Sequence, residues 1–243
     1  MVVTSADVVW HDLECGSYRA DLPLWRELAG AVRGPVLDVG AGTGRVTLDL
    51  ARAGHRVTAL DLDSNLLGAL QDRTDGLRVE TVCADARSFD LDRRDFALCL
   101  VPMQTLQLLH GSAERAAFLH CARAHLHPGG LLACAIVTTL APFDCAGGDI
   151  GPTPETAHVD NTVYVSRATR IGVLERGFVI ERVRQILGPG GDIVEELNIV
   201  ELDRVSPSEL EHKAAAAGLR PEPAREIPST DEHVGSEVVM LRA

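Results

Sequence analysis

Val36-Leu37-Asp38-Val39-Gly40-Ala41-Gly42-Thr43-Gly44-Arg45 joins a short, mostly apolar run to three glycines at alternate positions. A run this short, closed by glycine, reads as a buried strand. Glycine lets the backbone leave such a strand, turn tightly and bring its amides against a ligand with no Cβ in the way. The helix expected next carries Val46, Leu48, Leu50 and Ala51 and ends near Gly54. Its N-terminus offers unpaired N–H groups and the positive end of a dipole. The spacing is not that of the dinucleotide fingerprint, which wants its third glycine where Arg45 stands; here Gly44 comes one residue earlier.

Outward from this turn, strand-like and helical patterns alternate. Strands are predicted at residues 56–60, 77–83, 96–101 and 131–138. A helix opens at Ser64, another runs from an N-cap at Ser112 to Leu126, and His127-Pro128-Gly129-Gly130 breaks the chain before the fourth of these strands. Such alternation implies a parallel sheet covered on both faces. After residue 140 the texture changes. A loop rich in Gly, Pro and Asp precedes three alternating segments, roughly 162–171, 178–187 and 193–205. The short turns Glu175-Arg176-Gly177 and Gly188-Pro189-Gly190-Gly191 can join only antiparallel neighbours, so this reads as a meander added to the main sheet. Ser206, Pro207 and Glu209 form a capping box for a helix that Gly218 ends, and strands near 219–227 and 237–242 finish the chain.

The expected fold is therefore α/β: a doubly wound, mostly parallel, seven-stranded Rossmann-like sheet with an antiparallel meander inserted between its fifth and sixth strands. Residues 1–34 read as an N-terminal helical lid, 35–140 and 206–243 as the ligand-binding core, and 141–205 as a cap. The cap serves as a lid or as the surface of a homodimer.

Composition narrows the partners. Among 243 residues, 23 Lys and Arg face 35 Asp and Glu, a net charge of −12. A field of that sign repels phosphate backbones and anionic lipids, so neither nucleic acid nor a membrane surface is expected as a partner. Aromatic residues are 4% of the chain, too few for a base-stacking platform. Six scattered cysteines without a C-x-x-C pair, several inside apolar runs, fit a reducing cytoplasm. The N-terminus has no basic and then apolar signal pattern, and the longest uncharged stretch, 129–143, is too short to span a bilayer.

Two further acids complete the chemistry. Asp61 ends the second strand, where a carboxylate can accept both hydroxyls of a ribose lying over the sheet edge. Asp85 ends the third and can accept from an adenine amino group. With Asp38, three carboxylates stand at successive strand ends, which suits a nucleoside carrying a positive centre rather than a second phosphate-rich half.

The span from Val36 to Gly130 resembles the class I S-adenosylmethionine-dependent methyltransferases: L-D-V-G-A-G-T-G-R, L-D-L, A-D-A and H-L-H-P-G-G recur in the family's order and spacing. The architecture beyond residue 140 is similar to that of glycine and amino-sugar N-methyltransferases. The resemblance implies S-adenosylmethionine as cofactor and a small-molecule acceptor. It places Gly40, Ala41, Gly42 and Gly44 along the methionine moiety, with Asp38 steadying the loop or the cofactor's ammonium. Asp61 would hold the ribose, Leu62 would lie against the adenine, and Asp85 with the Ala86 amide would read the adenine edge. The Val101 carbonyl would accept from the ammonium, and Tyr18 would cover the cofactor. Val101-Pro102-Met103-Gln104 stands where relatives that methylate planar nitrogens carry an acidic or Asn residue followed by P-P-[YF], which speaks against DNA-adenine and protein-glutamine acceptors.

Methyl transfer from a sulfonium is an in-line displacement that needs alignment first and a base only for a protonated or high-pKa acceptor. His233, with Asp231 to orient it, is the first candidate base, and His11 the second. Glu14, Gln104 and His110 are candidate substrate contacts. Each has a plainer reading: a backbone-bonded loop histidine, a polar N-terminal helix, a helix-cap glutamine, or a purely structural Asp38. Cys121 and His125 share a helix face without zinc spacing, so no metal is expected. A non-catalytic nucleoside-binding module and, against the glycine spacing, an NAD-dependent oxidoreductase are the competing functions.

Overall fold

The computed structural model describes residues 5–230 and 233–243. The chain divides into two compact units, one of residues 5–17 with Thr139–Arg204, the other of Tyr18–Thr138 with Val205–Ala243.

The larger unit is built on a seven-stranded sheet. Its strands are β1 (Val36–Val39), β2 (Val57–Asp61), β3 (Val79–Cys83), β4 (Phe96–Val101) and β5 (Leu126–Ile136), with two later strands at Arg220–Ile227 and Ser236–Arg242. The first five are mutually parallel. The Ser236–Arg242 strand is antiparallel both to β5 and to Arg220–Ile227, so it alone runs against the rest. Spatial order is Arg220–Ile227, Ser236–Arg242, β5, β4, β1, β2, β3. The order reverses between β1 and β4, and in open α/β sheets the crevice outside the carboxyl ends at such a reversal receives ligands.

All four residues of β1 are buried. Its side chains alternate between two cores: Leu37 and Val39 join Phe118, Leu119 and Leu210 on one face, and Val36 joins Trp25, Val46 and Leu50 on the other. Double burial is why these strands read as continuous apolar runs. The helices that cover them are α2 (Leu22–Ala31), α3 (Arg45–Arg52), α4 (Ser64–Gln71), α5 (Ser112–His125) and α6 (Pro207–Ala216), and α1 (Ala6–Cys15) belongs to the smaller unit. α4 opens at Ser64 as expected, capped by Asp63, which accepts from the amides of Asn65 and Leu66, whereas Gly111 precedes α5 where Ser112 was expected as the cap. Ser206 does cap α6, accepting the Glu209 amide at 3.2 Å behind Pro207. At Pro128 the pairing of β4 with β5 jumps from Phe96↔Leu126 to Leu98↔Leu131, so the Pro-Gly-Gly run is a bulge inside β5.

The smaller unit holds β6 (Phe143–Asp144), β7 (Glu155–Val159), β8 (Thr162–Leu174), β9 (Gly177–Leu187) and β10 (Ile193–Asp203). The meander is inserted between the fifth and sixth strands of the main sheet, as expected, and forms a sheet of its own, ordered β10-β9-β8-β6 with β7 also on β8. The reason is saturation. β9 pairs with β10 from Gly177↔Asp203 to Leu187↔Ile193 and with β8 along its other edge, so these strands satisfy one another's backbone groups. The two strands that close the chain are therefore β11 (Arg220–Ile227) and β12 (Ser236–Arg242) of the main sheet. Among the described residues no helix is long and apolar enough to cross a membrane, and all six cysteines are free, with Cys99 and Cys134 fully buried.

Gly44 supplies the left-handed residue at the start of α3, with φ +94°, and a Cβ there would lie 2.2 Å from Leu70 Cδ1. Gly54 has nearly the same φ, +95°, but faces open space. Gly44→Ala should therefore cost about 2–4 kcal/mol in urea unfolding of the ligand-free protein, strain plus overpacking, against about 1–2 for Gly54→Ala. Equal losses would mean that packing against Leu70 does not hold this turn.

Candidate active site

The carboxyl ends of β1, β2, β3 and β4 converge in the larger unit. The turn leaving β1 has Gly40, Gly42 and Gly44 at φ +74°, +54° and +94°. Gly40 cannot carry a side chain, because its Cβ would meet Thr105 Cγ2 at 2.4 Å in the turn that follows β4. The loop's amides are already engaged: Gly40 and Ala41 donate to the Leu60 carbonyl at 2.8 and 3.1 Å, and Gly44 to Ala41 at 2.9 Å. Gly42 donates to Asp61 Oδ2 at 2.7 Å. The sequence suggested a loop that offers amides; in the folded loop those of Gly40, Ala41, Gly42 and Gly44 are taken, and what the glycines leave is close approach.

Asp61 spans two turns, since its Oδ1 also accepts the Asp63 amide at 3.0 Å. A carboxylate has about four acceptor positions, so capacity for hydroxyl donors is left. Leu62, the next residue, is 69% exposed, an apolar shelf at the strand end. Asp85 is gripped by Arg87, which donates its Nε to Oδ1 at 2.8 Å and its backbone amide to the same oxygen at 2.8 Å. This pairing pulls the Asp85 carboxyl down to about 2. The expected adenine reader is thus ionised and shared with Arg87, which also reaches Glu114 at 3.2 Å. Ala86 packs at the margin of the core, and Val101, buried, ends β4 beside Cys134.

Asp38 is the most unusual group. It is 1% exposed, Thr47 Oγ1 donates to its Oδ2 at 2.6 Å, and its Oδ1 has no protein partner. Burial pushes its carboxyl up to about 6, against the opposing pull of the Thr47 hydrogen bond and Arg45. A buried acceptor left without a donor is costly and rare, which marks a position for a ligand cation or water.

Tyr18, also buried, meets His233 edge-on with ring centroids 4.9 Å apart. Burial raises its phenol to about 12. His233 is held in its loop by paired bonds with Thr230: its amide donates to Thr230 Oγ1 at 3.0 Å, and its carbonyl accepts the Thr230 amide at 2.8 Å. Asp231 lies outside the described residues. Gln104 sits just before a short 3-10 turn, Thr105–Leu108, accepting the Gln107 amide at 2.8 Å through its carbonyl, and His110 is exposed beyond that turn.

Two candidates belong to the smaller unit. His11 lies on α1. Glu14, on the same helix, accepts Arg184 Nε and Nη2 at 2.8 and 2.7 Å and Ser166 Oγ at 2.7 Å. Burial would raise its carboxyl, but the Arg184 and Ser166 hydrogen bonds outweigh that and hold it below the usual range.

Several residues escaped the sequence reading. Arg45 makes a bidentate, buried ion pair with Asp21 at 2.6 and 2.7 Å. Gln107, fully buried, clamps Val137, accepting its amide at 2.7 Å and donating to its carbonyl at 3.0 Å, which ties the turn after β4 to the end of β5. Met103 has φ +54°, strain in a non-glycine residue at the edge of the site. The helix histidine His125 is a packing residue: its Nε2 accepts the Leu91 amide at 2.9 Å, its Nδ1 faces the Cys121 carbonyl at 2.7 Å, and burial lowers its pKa. Among the described residues no group of His, Cys, Asp and Glu is arranged to hold a metal ion.

Comparison with known proteins agrees with this geometry. Residues 36–130 match a family model described as a methyltransferase domain. Over 116 residues the chain is 37% identical to the cypemycin N-terminal methyltransferase of a Streptomyces species, covering 47% of this chain and 46% of that one. The chain spans less than half the length of the curated relatives it matches. The sugar N-methyltransferase KedS8 from Streptoalloteichus superposes with a TM-score of 0.74 at 18% identity, covering 97% of this chain and 92% of that one. CalS10, an amino pentose methyltransferase of Micromonospora echinaspora solved with S-adenosylmethionine bound, gives a TM-score of 0.66 at 23% identity, with 96% and 91% covered. Residues 36–130 thus resemble a methyltransferase domain, and the chain shares the fold of these solved methyltransferases.

The raised Asp38 carboxyl has a thermodynamic signature. Because its pKa is higher folded than unfolded, its contribution to stability is fully present below the ordinary value of 3.8 and is lost as pH rises through about 6. Between about pH 4 and about pH 7, Asp38→Asn should therefore gain on the wild type by on the order of 2 kcal/mol in urea unfolding. A difference that stays constant with pH would mean that Asp38 titrates normally.

Proposed function

We propose that this protein transfers the methyl group of S-adenosylmethionine to a nitrogen or oxygen of a small metabolite. The observation that carries this reading is the buried, unpartnered Asp38 Oδ1 two residues before a turn whose amides are engaged, with Asp61 one strand over. The site is rich in acceptors, which suits a ligand that brings an ammonium, a sulfonium and two ribose hydroxyls.

When bound, S-adenosylmethionine would supply a methyl carbon on a sulfonium, open to in-line attack by an acceptor lone pair as the carbon–sulfur electron pair returns to sulfur and leaves a neutral thioether. The chain's own residues hold and align. Asp38 takes the ammonium, together with the Val101 carbonyl. Asp61 accepts the ribose hydroxyls while keeping the Gly42 amide, so the grip on the sugar also fixes the glycine turn. Leu62 lies along the adenine, and Asp85 with the Ala86 amide meets its edge. Tyr18 covers the cofactor and excludes water. Since the displacement consumes a positive charge at sulfur, no strong acid is required; an amine acceptor must only lose its proton, and His233, beside Tyr18, takes it. Gln104 and His110 are assigned to the acceptor side. The net charge of −12 favours neutral or cationic acceptors over nucleic acid. The compartment we assign is the cytoplasm, and the oligomer a homodimer.

Calorimetric titration with S-adenosylhomocysteine and NAD, followed by mass-spectrometric detection of methylated products in a panel of amines and alcohols, tests the assignment. Binding of the thioether with product formation supports it; binding without any product favours a non-catalytic module, and binding of NAD alone rejects it. Asp61→Ala should weaken S-adenosylhomocysteine binding by about 1–3 kcal/mol, towards the upper end because the Gly42 amide also loses its acceptor. His233→Ala should lower kcat about tenfold or more with cofactor affinity nearly unchanged. Equal loss of both would assign His233 a structural role.

A further inference from the structure

We infer that Arg45 is a positioning residue for the cofactor site, holding Tyr18 in place through a buried ion pair with Asp21. The inference rests on the methyltransferase reading, in which Tyr18 covers the cofactor.

Arg45 is the first residue of α3, immediately after the left-handed Gly44, so its backbone is fixed by the glycine turn itself. Its guanidinium makes three kinds of contact at once. Nη1 and Nη2 donate to Asp21 Oδ1 and Oδ2 at 2.6 and 2.7 Å, Nη1 also donates to the Tyr18 carbonyl at 3.1 Å, and the Cζ lies 5.1 Å from the centroid of the Tyr18 ring. The Arg45 and Asp21 side chains are 7% and 0% exposed. Tyr18 is in turn the ring against which His233 packs.

Asp21 has given up an ordinary role to make this pair. It occupies the N-cap position of α2, where an aspartate side chain normally accepts an amide of the first turn. Here it makes no capping bond, and its second oxygen accepts the Trp25 indole N–H at 2.8 Å instead. Stability alone does not account for the arrangement, because a buried ion pair roughly breaks even against apolar side chains of the same volume. What only this pair supplies is direction. A planar fork locked by one carboxylate presents a fixed donor to the Tyr18 carbonyl and a fixed cation to the Tyr18 ring. Lysine, a point charge on a flexible stem, supplies neither.

The test uses the full chain and S-adenosylhomocysteine, with Arg45→Lys, Tyr18→Ala and the double variant. Arg45→Lys should raise Kd about tenfold. If Arg45 acts through Tyr18, the double variant should bind no worse than Tyr18→Ala alone; losses that multiply, or an Arg45→Lys variant with wild-type affinity, overturn the inference. Asp21→Asn, which keeps an acceptor for Trp25, serves if Arg45→Lys does not fold. Hydrogen exchange on the ligand-free protein reads the same clamp without any cofactor. Asp21→Asn should speed exchange in residues 18–22 and at His233, which packs on Tyr18, with the central strands unchanged. If the wild type fails to bind S-adenosylhomocysteine, the methyltransferase reading fails, and the exchange result still decides the clamp: unchanged exchange at residues 18–22 rejects it.

Discussion

One carboxylate joins the two turns on which the site depends. Asp61 takes the Gly42 amide with one oxygen and the Asp63 amide with the other, so the turn leaving β1 and the turn leaving β2 are fixed to each other. Consequences run in both directions from that bridge. The glycine turn sets the start of α3, and with it the guanidinium of Arg45. Arg45 reaches Asp21 and Tyr18, and the Tyr18 ring meets His233 edge-on. Asp63, held by the same carboxylate, caps α4, whose Leu70 fills the space that glycine leaves at position 44.

The electrostatics follow from where these acids sit. Asp38 and Asp61 come from adjacent parallel strands, and the Asp61 charge is one of the influences that keep the Asp38 proton on. Burial is the larger one. A cationic group reaching Asp38 would reverse both, since ionisation would then be met by an opposite charge in a medium that screens poorly. This is why an acidic, donor-poor crevice on a methyltransferase domain is coherent with a sulfonium nucleoside, whereas a dinucleotide would bring its pyrophosphate towards three carboxylates. Asp85 is the exception among them, because Arg87 already neutralises it.

Much of the larger unit was legible because its signals are local. Four consecutive buried residues in β1, the left-handed glycines and the Ser206-Pro207-Glu209 cap each declare themselves within a few positions. The placement of Asp38, Asp61 and Asp85 in or just after β1, β2 and β3 was legible for the same reason, each standing directly after an apolar run. What could not be read was pairing at a distance. Nothing near Arg45 announces Asp21, since the bond forms only once α2 packs on α3; Gln107 and Val137 meet across 30 residues, and Glu14 and Arg184 across 170. The pairing of β6 and β7 with β8 was missed because their short segments lie in a Gly-, Pro- and Asp-rich run that reads as loop. The loop amides were misjudged because their acceptor, the Leu60 carbonyl, belongs to another strand.

A crystal structure of the full chain with S-adenosylhomocysteine bound tests the central claim most directly. The expected result has both ribose hydroxyls on Asp61 and the amino-acid ammonium on Asp38 Oδ1. A nucleoside bound elsewhere, or one held in this crevice without touching either carboxylate, would contradict it.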